Sequence, residues 1–406
     1  MKVHIQIVTG QSMANLLPLL ALQPDIIVLL TSSNMTAKQE VLHSLVSKTP
    51  QLKDAKIINF TDLPDSNVRR IQDFGLNVSM QLEEQFPNAE FIYDLTGGSK
   101  LMAVALAAVF SDTNYSQVYL NTENNLLEFV EPKDKASEQL SELINAKTYL
   151  AANGAIWRHA LSEKSEWQDK IQQRRALTFK FATLLANNNQ PMENLISQLN
   201  KAASQATDRQ SKLIAPHQHL NHMPKSCYPL MQEFTTQGLI DWQQTDDTSV
   251  YFNSADAVNY LNGGWLEEYF YLVACQVGLK DSHCGVKISD SSIRKSDSHN
   301  DLDGLCAFNN RLLITECKTA KFGQNEQKDN DIIYKIDSIA SHIGGQFCTR
   351  LLLSALPVDR ITKDNRAVNV TDRAKSVEVQ VLVGKDIIAL KEHLMFWKTQ
   401  GKWQST

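Results

Sequence analysis

The sequence predicts an α/β chain in three parts: a doubly wound domain over residues 1–146, a helical, winged-helix-like connector over 147–260, and an α+β domain over 261–406. Three observations carry this. The first third alternates strand and helix signals, and the middle is helical and polar. The last part sets one helix before a run of strands. At 406 residues the chain exceeds one ordinary core, so several domains are expected.

In the first part, VHIQIVTG, DIIVLLTSS, AKIINF, AEFIYDLTGG and QVYLNTE read as strands. SMANLLPLLALQ, TAKQEVLHSLVSKT, NVRRIQDFGLNVSMQLEEQF and SKLMAVALAAVF read as the helices between them. Short apolar runs separated by helices describe a buried parallel sheet, whose ligands bind at the carboxyl ends of its strands. The connector has Gln- and Asn-rich loops such as ANNNQP. It closes on LMQEFTTQGLIDWQQTDDTSVYFNSADAV, which reads as a helix, a turn at Gly238, a strand, a polar tip and a second strand. That pattern serves DNA binding or structure, and the missing basic recognition helix favours structure. In the last part the helix GGWLEEYFYLVACQVG precedes strands near CGVKIS, DGLCAF and RLLITECKT. The helix IIYKIDSIASHIGG follows, then strands RLLLSA and VEVQVLVG and a final helix.

Composition is that of a globular domain protein, 43% hydrophobic and 21% charged. LLPLLALQPDIIVLL is interrupted by Pro18 and Pro24, and LMAVALAAVF is too short to span a bilayer. The N-terminus reads as a strand and not as a signal peptide. The six cysteines all lie in the second half with no C-x-x-C pair, which suits reduced thiols in the cytoplasm. Net charge is −5, and residues 261–406 are close to neutral. No basic stripe advertises a tight duplex binder, while a shallow grip on single strands remains compatible.

The chemistry concentrates in RLLITECKT. Alternation puts Leu312, Ile314, Glu316 and Lys318 on one face and Leu313, Thr315 and Cys317 on the other, so Cys317 is expected in the core. Asp303 opens the preceding strand, and Asn309-Asn310-Arg311 is hairpin chemistry that brings Asp303 beside Glu316. Two converging carboxylates make an oxygen-rich site for Mg²⁺ or Mn²⁺. Such a metal would polarise a phosphodiester and activate water, with Lys318 offsetting the charge that develops. Glu267, and less readily Glu268, would complete the metal shell, and Asp301 shares the face of Asp303. Taken alone, Glu-x-Lys on a strand is far more often a solvated pair at an exposed edge. The hairpin partner and the preceding helix are what raise this one above that.

A second motif is AEFIYDLTGGSKLMAVALA, an apolar strand, the turn Asp94-Leu95-Thr96-Gly97-Gly98-Ser99-Lys100 and an apolar helix. Paired glycines permit close backbone approach, and a helix N-terminus offers free N–H groups to an anion. The spacing is not that of a Walker A loop. The first strand ends in Thr9-Gly10-Gln11-Ser12 and the second in Thr31-Ser32-Ser33-Asn34, with neither G-x-G-x-x-G nor a ribose-binding acid. Nicotinamide and flavin are disfavoured. A ligand rich in phosphate and ribose fits better, and the plain alternative is a tight strand-to-helix turn.

These residues resemble a known family. DLTGGSKLMAVALA, with the TSSN loop and the Thr9–Ser12 turn, is similar to a CARF domain, the Rossmann-like sensor of cyclic oligoadenylates in CRISPR defence. HNDLDGLCAF and LLITECKT resemble the PD-(D/E)XK (restriction endonuclease-like) domain of CRISPR ancillary nucleases that join the two. The resemblance implies a homodimer that binds cyclic tetra-adenylate in a composite pocket. It also implies a nuclease that, once activated, cuts single-stranded DNA or RNA, or nicks supercoiled duplex, with Mn²⁺ or Mg²⁺. Carried over by position, Gln11, Ser12, Thr31, Ser32, Ser33, Asn34, Thr96, Gly97, Gly98, Ser99 and Lys100 would line the ligand pocket. Asp303, Glu316, Lys318 and Glu267 would be catalytic, with Asp303, Glu316 and Glu267 on the metal. The family pattern has Glu where this chain has Asp301, which bears on metal preference. No dedicated general base lies by the pocket, so activator cleavage is not expected.

His217, His219 and His222, near Cys227, fit no standard zinc spacing and read as a polar loop. Arg174, Arg175 and Lys180 read as an exposed basic helical face. Lys335 and Gln346 are possible supports of the nuclease core. The competing class is a ligand-responsive transcription regulator with an inert C-terminal domain, and a third reading is a non-catalytic subunit. The intact Asp303, Glu316 and Lys318 set weighs against both.

Overall fold

The computed structural model describes residues 1–187, 189–208, 210–290, 299–322, 326–344, 348–361 and 367–404. They form two compact units, residues 1–156 and nearly all of the remainder. None of the described helices is long and apolar enough to cross a membrane.

The first unit runs β1 (Lys2–Ile7), α1 (Ser12–Leu22), β2 (Ile26–Leu30), α2 (Thr36–Lys48), β3 (Lys56–Phe60), α3 (Val68–Gln85), β4 (Glu90–Asp94), α4 (Lys100–Asp112), β5 (Ser116–Asn121), β6 (Leu126–Glu131), β7 (Glu138–Gln139) and α5 (Ala146–Ala152). The sheet order is β3-β2-β1-β4-β5-β6-β7, parallel from β3 to β5 and antiparallel beyond. Every strand and helix expected over residues 2–121 is present. The antiparallel edge β6–β7 was not expected. The chain leaves β1 toward β2 on one side and returns to β4 on the other. The strand order therefore reverses between β1 and β4, the place where open α/β sheets bind ligands. Val3, Ile5 and Ile7 of β1 pack with Ile71, Val78 and Leu82 of α3 and Leu106 and Phe110 of α4.

The second unit begins with β8 (Ala155–Ala160), α6 (Ser165–Gln173), α7 (Arg175–Asn187), α8 (Asn189–Ala206), β9 (His217–His219), α9 (Tyr228–Thr236), β10 (Ile240–Gln243), β11 (Asp246–Phe252) and α10 (Ala255–Asn259). The helix, the turn at Gly238 and the two following strands lie where the winged pattern put them, and β9 adds a third strand beside β11. There follow α11 (Trp265–Gln276), β12 (Asp281–Asp290), β13 (His299–Phe308), β14 (Arg311–Lys318), α12 (Glu326–Ile343), β15 (Cys348–Ser354), β16 (Arg360–Ile361), β17 (Ala367–Val368), α13 (Val370–Ser376), β18 (Val379–Val383) and α14 (Leu390–Gln400). Six strands form one sheet, β18-β15-β14-β13-β12-β8. Its β8 edge is supplied from the stretch read as connector. One hydrophobic core joins Phe181, Leu199, Phe234 and Trp242 to Phe270, Leu313, Leu353 and Trp397, so connector helices and sheet are packed as one body.

Arg174 is not on an exposed basic face. It is buried, its guanidinium grips both oxygens of Glu268 and reaches Asp256 at 2.7 Å, and it lies over the Tyr260 ring. Lys180 pairs with Glu233 at 2.8 Å. His222 and Tyr228 share Asp247, and His217 meets Ser249.

Candidate active site and ligand-binding turn

In the second unit the hairpin builds the centre. Asn309 and Asn310 sit at φ 50° and 63°, the left-handed pair that a two-residue hairpin turn requires and that Asn tolerates. Phe308 then pairs with Arg311, and the ladder continues to Gly304 opposite Thr315. One step further, Asp303 stands across from Glu316. The Asp303 carboxylate accepts the Cys317 backbone N–H at 2.7 Å, which fixes its direction. Lys318 Nζ lies 2.7 Å from Glu316 Oε1 and 3.6 Å from Asp303 Oδ2, so the three expected residues converge. Cys317 points into the core as the alternation required.

Lys335 of α12 reaches both oxygens of Glu316, at 3.1 and 3.3 Å. It is part of the cluster, on which the sequence was non-committal. Gln346 lies outside the described residues. Asp301 is exposed and faces Lys287 at 3.8 Å.

The two glutamates of α11 separate cleanly. Glu268 is buried and neutralised by Arg174, so it takes no part. Glu267 lies with one oxygen 4.0 Å from Cys284 Sγ. Burial, then the Asp303 carboxylate, pushes its pKa well above the carboxylate range, against the pull of Lys318. Asp303 is raised in the same sense by burial and by Glu316. Burial pulls the Lys318 pKa down, but Asp303 and Glu316 outweigh it and hold the ammonium charged. Among the described residues, no three His, Cys, Asp or Glu side chains are gathered in ligating arrangement. The carboxylates instead close on lysine.

In the first unit the loops after β1, β2 and β4 emerge at one edge, because those strands are parallel neighbours. A Cβ on Gly97 would lie 2.2 Å from the Ile7 carbonyl oxygen, so the turn after β4 rests directly on the end of β1. Gly98 has φ +81°, a conformation that also favours glycine. Asp94 turns inward. One oxygen accepts the Thr96 N–H at 2.8 Å, and the other lies 3.6 Å from the ring of buried His4. Thr96 Oγ1 accepts from the Leu120 N–H, and Ser99 caps α4 by accepting from the Met102 N–H. Ser12, Thr31 and Ser32 are buried, Gln11 is half-buried, and Ser33, Asn34, Gly98, Ser99 and Lys100 are exposed.

Asn15 was missed. It receives the Thr9 N–H and donates to the Ile7 carbonyl and to Gln6, so it shapes the first loop. A buried amide one turn into an otherwise apolar helix was the available signal.

A doubly wound sensor-type domain and a separate domain centred on Asp-Glu-Lys define a two-domain, ligand-responsive nuclease class. Residues 3–149 match the family described as the Card1 CARF domain, and residues 254–401 match the Card1-like endonuclease domain. The chain belongs to the family that joins these two domains. No curated protein matches the sequence. In fold it is similar to protein VC1899 from Vibrio cholerae, at 18% identity and TM-score 0.79, covering 99% of both chains. It is likewise similar to Can2 from Sulfobacillus thermosulfidooxidans, solved in complex with cyclic tetra-adenylate, at 22% identity and TM-score 0.74 over 98% of this chain and 97% of that one.

Proposed function

We infer that this chain is a cyclic tetra-adenylate-activated, metal-dependent endonuclease of type III CRISPR defence, acting in the cytoplasm on single-stranded DNA, single-stranded RNA or supercoiled duplex. The observation that carries the reading is the convergence of Asp303, Glu316 and Lys318 on one hairpin. In this reading residues 1–146 are the sensor, 147–260 the connector and 261–406 the PD-(D/E)XK nuclease.

The donor chemistry of the centre suits a divalent cation. Asp303, Glu316 and Glu267 supply hard oxygen donors, and the first and last are pushed toward protonation by burial and by neighbouring carboxylates. That is the signature of a site short of positive charge. Mn²⁺ or Mg²⁺ bound there would polarise the phosphodiester and acidify water. Lys318, kept charged, offsets the negative charge that builds on phosphorus, and Lys335 holds Glu316 in place.

In the sensor domain, the backbone of Gly97–Lys100 and the N-terminus of α4 would hold phosphate, with Lys100 adding charge. Gln11, Ser12, Thr31, Ser32, Ser33 and Asn34 would meet ribose and adenine. Leu76 and Met80 of α3 and Leu101 and Val104 of α4 are exposed apolar side chains on two neighbouring helices. A second copy of the chain covering them would bring a second ligand turn alongside the first.

Purified protein is incubated with labelled single-stranded DNA, single-stranded RNA or supercoiled plasmid, in Mn²⁺, with and without cyclic tetra-adenylate. Cleavage that depends on both ligand and metal is expected. No cleavage in any tube, or equal cleavage by Glu316→Ala, would sink the reading.

A further inference from the structure

A polar pocket of about 400 Å³ opens in the second unit beside the catalytic strand. Its lining comes from three segments. Ser197, Asn200, Lys201 and Ser204 of α8 fall at i, i+3, i+4 and i+7, so they share one helix face. Asn262 comes from the kinked turn Tyr260–Gly264 that leads into α11, and Thr319 and Lys321 come from the chain just past β14. Two cations and several amides and hydroxyls face the space, and its described lining includes no carboxylate. That chemistry selects an anion carrying hydrogen-bonding groups. The volume is near the lower end of small-molecule sites, roughly 300–1,000 Å³, enough for one nucleotide unit.

The pocket is tied to the chemistry through one residue. Thr319 directly follows Lys318. The Asn200 amide donates to the Thr319 carbonyl at 2.7 Å and lies 3.2 Å from its hydroxyl. From the other side, Gly263 adopts φ +126°, where a Cβ would lie 2.8 Å from Thr319 Oγ1. The kink at Gly263 leads directly into the helix that bears Glu267. Two of the three elements that present the proposed catalytic residues, β14 and α11, therefore border this pocket through the segments next to them.

We propose that the pocket is the nucleotide subsite next to the cleavage point: Lys201 and Lys321 hold a backbone phosphate of the single strand, and Asn262 contacts its sugar or base, while Asn200 fixes the Thr319 wall. The proposal rests on the nuclease reading above. Lys201, Lys321 and Asn262 are exposed, so substituting them leaves the core intact.

The test uses full-length protein and a fluorescein-labelled oligothymidylate. Its affinity is read by anisotropy in a Glu316→Gln background, and KM and kcat are read in the otherwise wild-type protein. Lys201→Glu with Lys321→Glu is expected to raise Kd and KM about tenfold or more. The salt dependence of binding should weaken by about 0.7 for each phosphate no longer held. kcat at saturation should change less than about threefold, the signature of uniform binding loss. Lys201→Arg should keep wild-type affinity, and unchanged cyclic tetra-adenylate binding shows that the variants are folded.

Equal Kd and salt slope in the charge-reversed variant, beside a wild type that binds and cuts, would overturn the subsite alone. A fall in kcat at constant KM would overturn it too. If the wild type neither binds nor cuts any oligonucleotide, the nuclease reading falls and the subsite with it.

Discussion

The turn after β4 and the hairpin β13–β14 hold their polar groups in opposite ways. In the turn, Asp94, Thr96 and Ser99 are already bonded to backbone N–H groups of the same domain. What remains for a ligand is backbone, an exposed lysine and a fixed shape. In the hairpin, among the described residues, the Cys317 N–H bond to Asp303 is of that kind, and Asp303 and Glu316 otherwise face the ammonium groups of Lys318 and Lys335. A cradle is built from satisfied groups, because shape must not depend on its guest. A catalytic centre is left electrostatically incomplete, because its guest supplies what is missing.

The contrast breaks most visibly at Glu316. Glu316→Ala removes one converging carboxylate, and activated cleavage is expected to fall by about 10³-fold or more. Cyclic tetra-adenylate binding, read by calorimetry, should stay as it was. Concurrent loss of ligand binding would mean that cradle and centre are not separable.

Arg174→Met strands Glu268 as a buried, unpaired charge and should cost about 3–5 kcal/mol in urea unfolding. Adding Glu268→Leu should recover most of it. If the double variant stays as unstable as the single one, the guanidinium matters for its packing on Tyr260 and not for its charge.

Gly97→Ala tests the cradle's shape. Its Cβ would meet the Ile7 carbonyl, backbone that cannot swing aside, so the turn must move. We expect about 1–3 kcal/mol of destabilisation and loss of cyclic tetra-adenylate affinity. Gly10→Ala, which meets nothing within 4 Å, should leave stability unchanged. Equal affinities for Gly97→Ala and wild type would show that the ligand does not read this turn.

The difference between the two regions also decided what the sequence could reveal. The hairpin is local: Asn309-Asn310 fixes the turn, period-two alternation fixes the faces, and Asp303 opposite Glu316 follows from counting. The helices and strands of the first domain were legible for the same reason, since each is set by its own apolar period. Arg174 was misread because its partners Asp256 and Glu268 lie 82 and 94 residues away, beyond any local pattern. The inward role of Asp94 was hidden similarly. An Asp ahead of Thr-Gly-Gly suits a ligand as well as an Asx turn, and only the burial of His4 and Gln6 beside it decides. The preference for Glu267 over Glu268 was open to sequence reading, but its physical reason, the Arg174 grip on Glu268, was not.

The smallest effect sharpens the contrast most. A carboxyl whose pKa is higher in the folded chain than in the unfolded one binds more protons when folded, so stability falls as pH rises through that interval. For Asp303 the interval runs from the ordinary carboxylate range up to about 6, and for Glu267 up to about 8. In chelator, the unfolding midpoint should therefore decline between about pH 5 and about pH 8, and Glu267→Gln should flatten the upper half of that decline. Added Mn²⁺ binds the deprotonated groups, so its stabilisation should grow with pH over the same interval. Asp94→Asn, placed in the turn, should leave the upper half of the decline as it was. A chelated midpoint that rises with pH would mean that Lys318 and Lys335 already satisfy the cluster, and the centre would be as complete without a cation as the cradle is without its ligand.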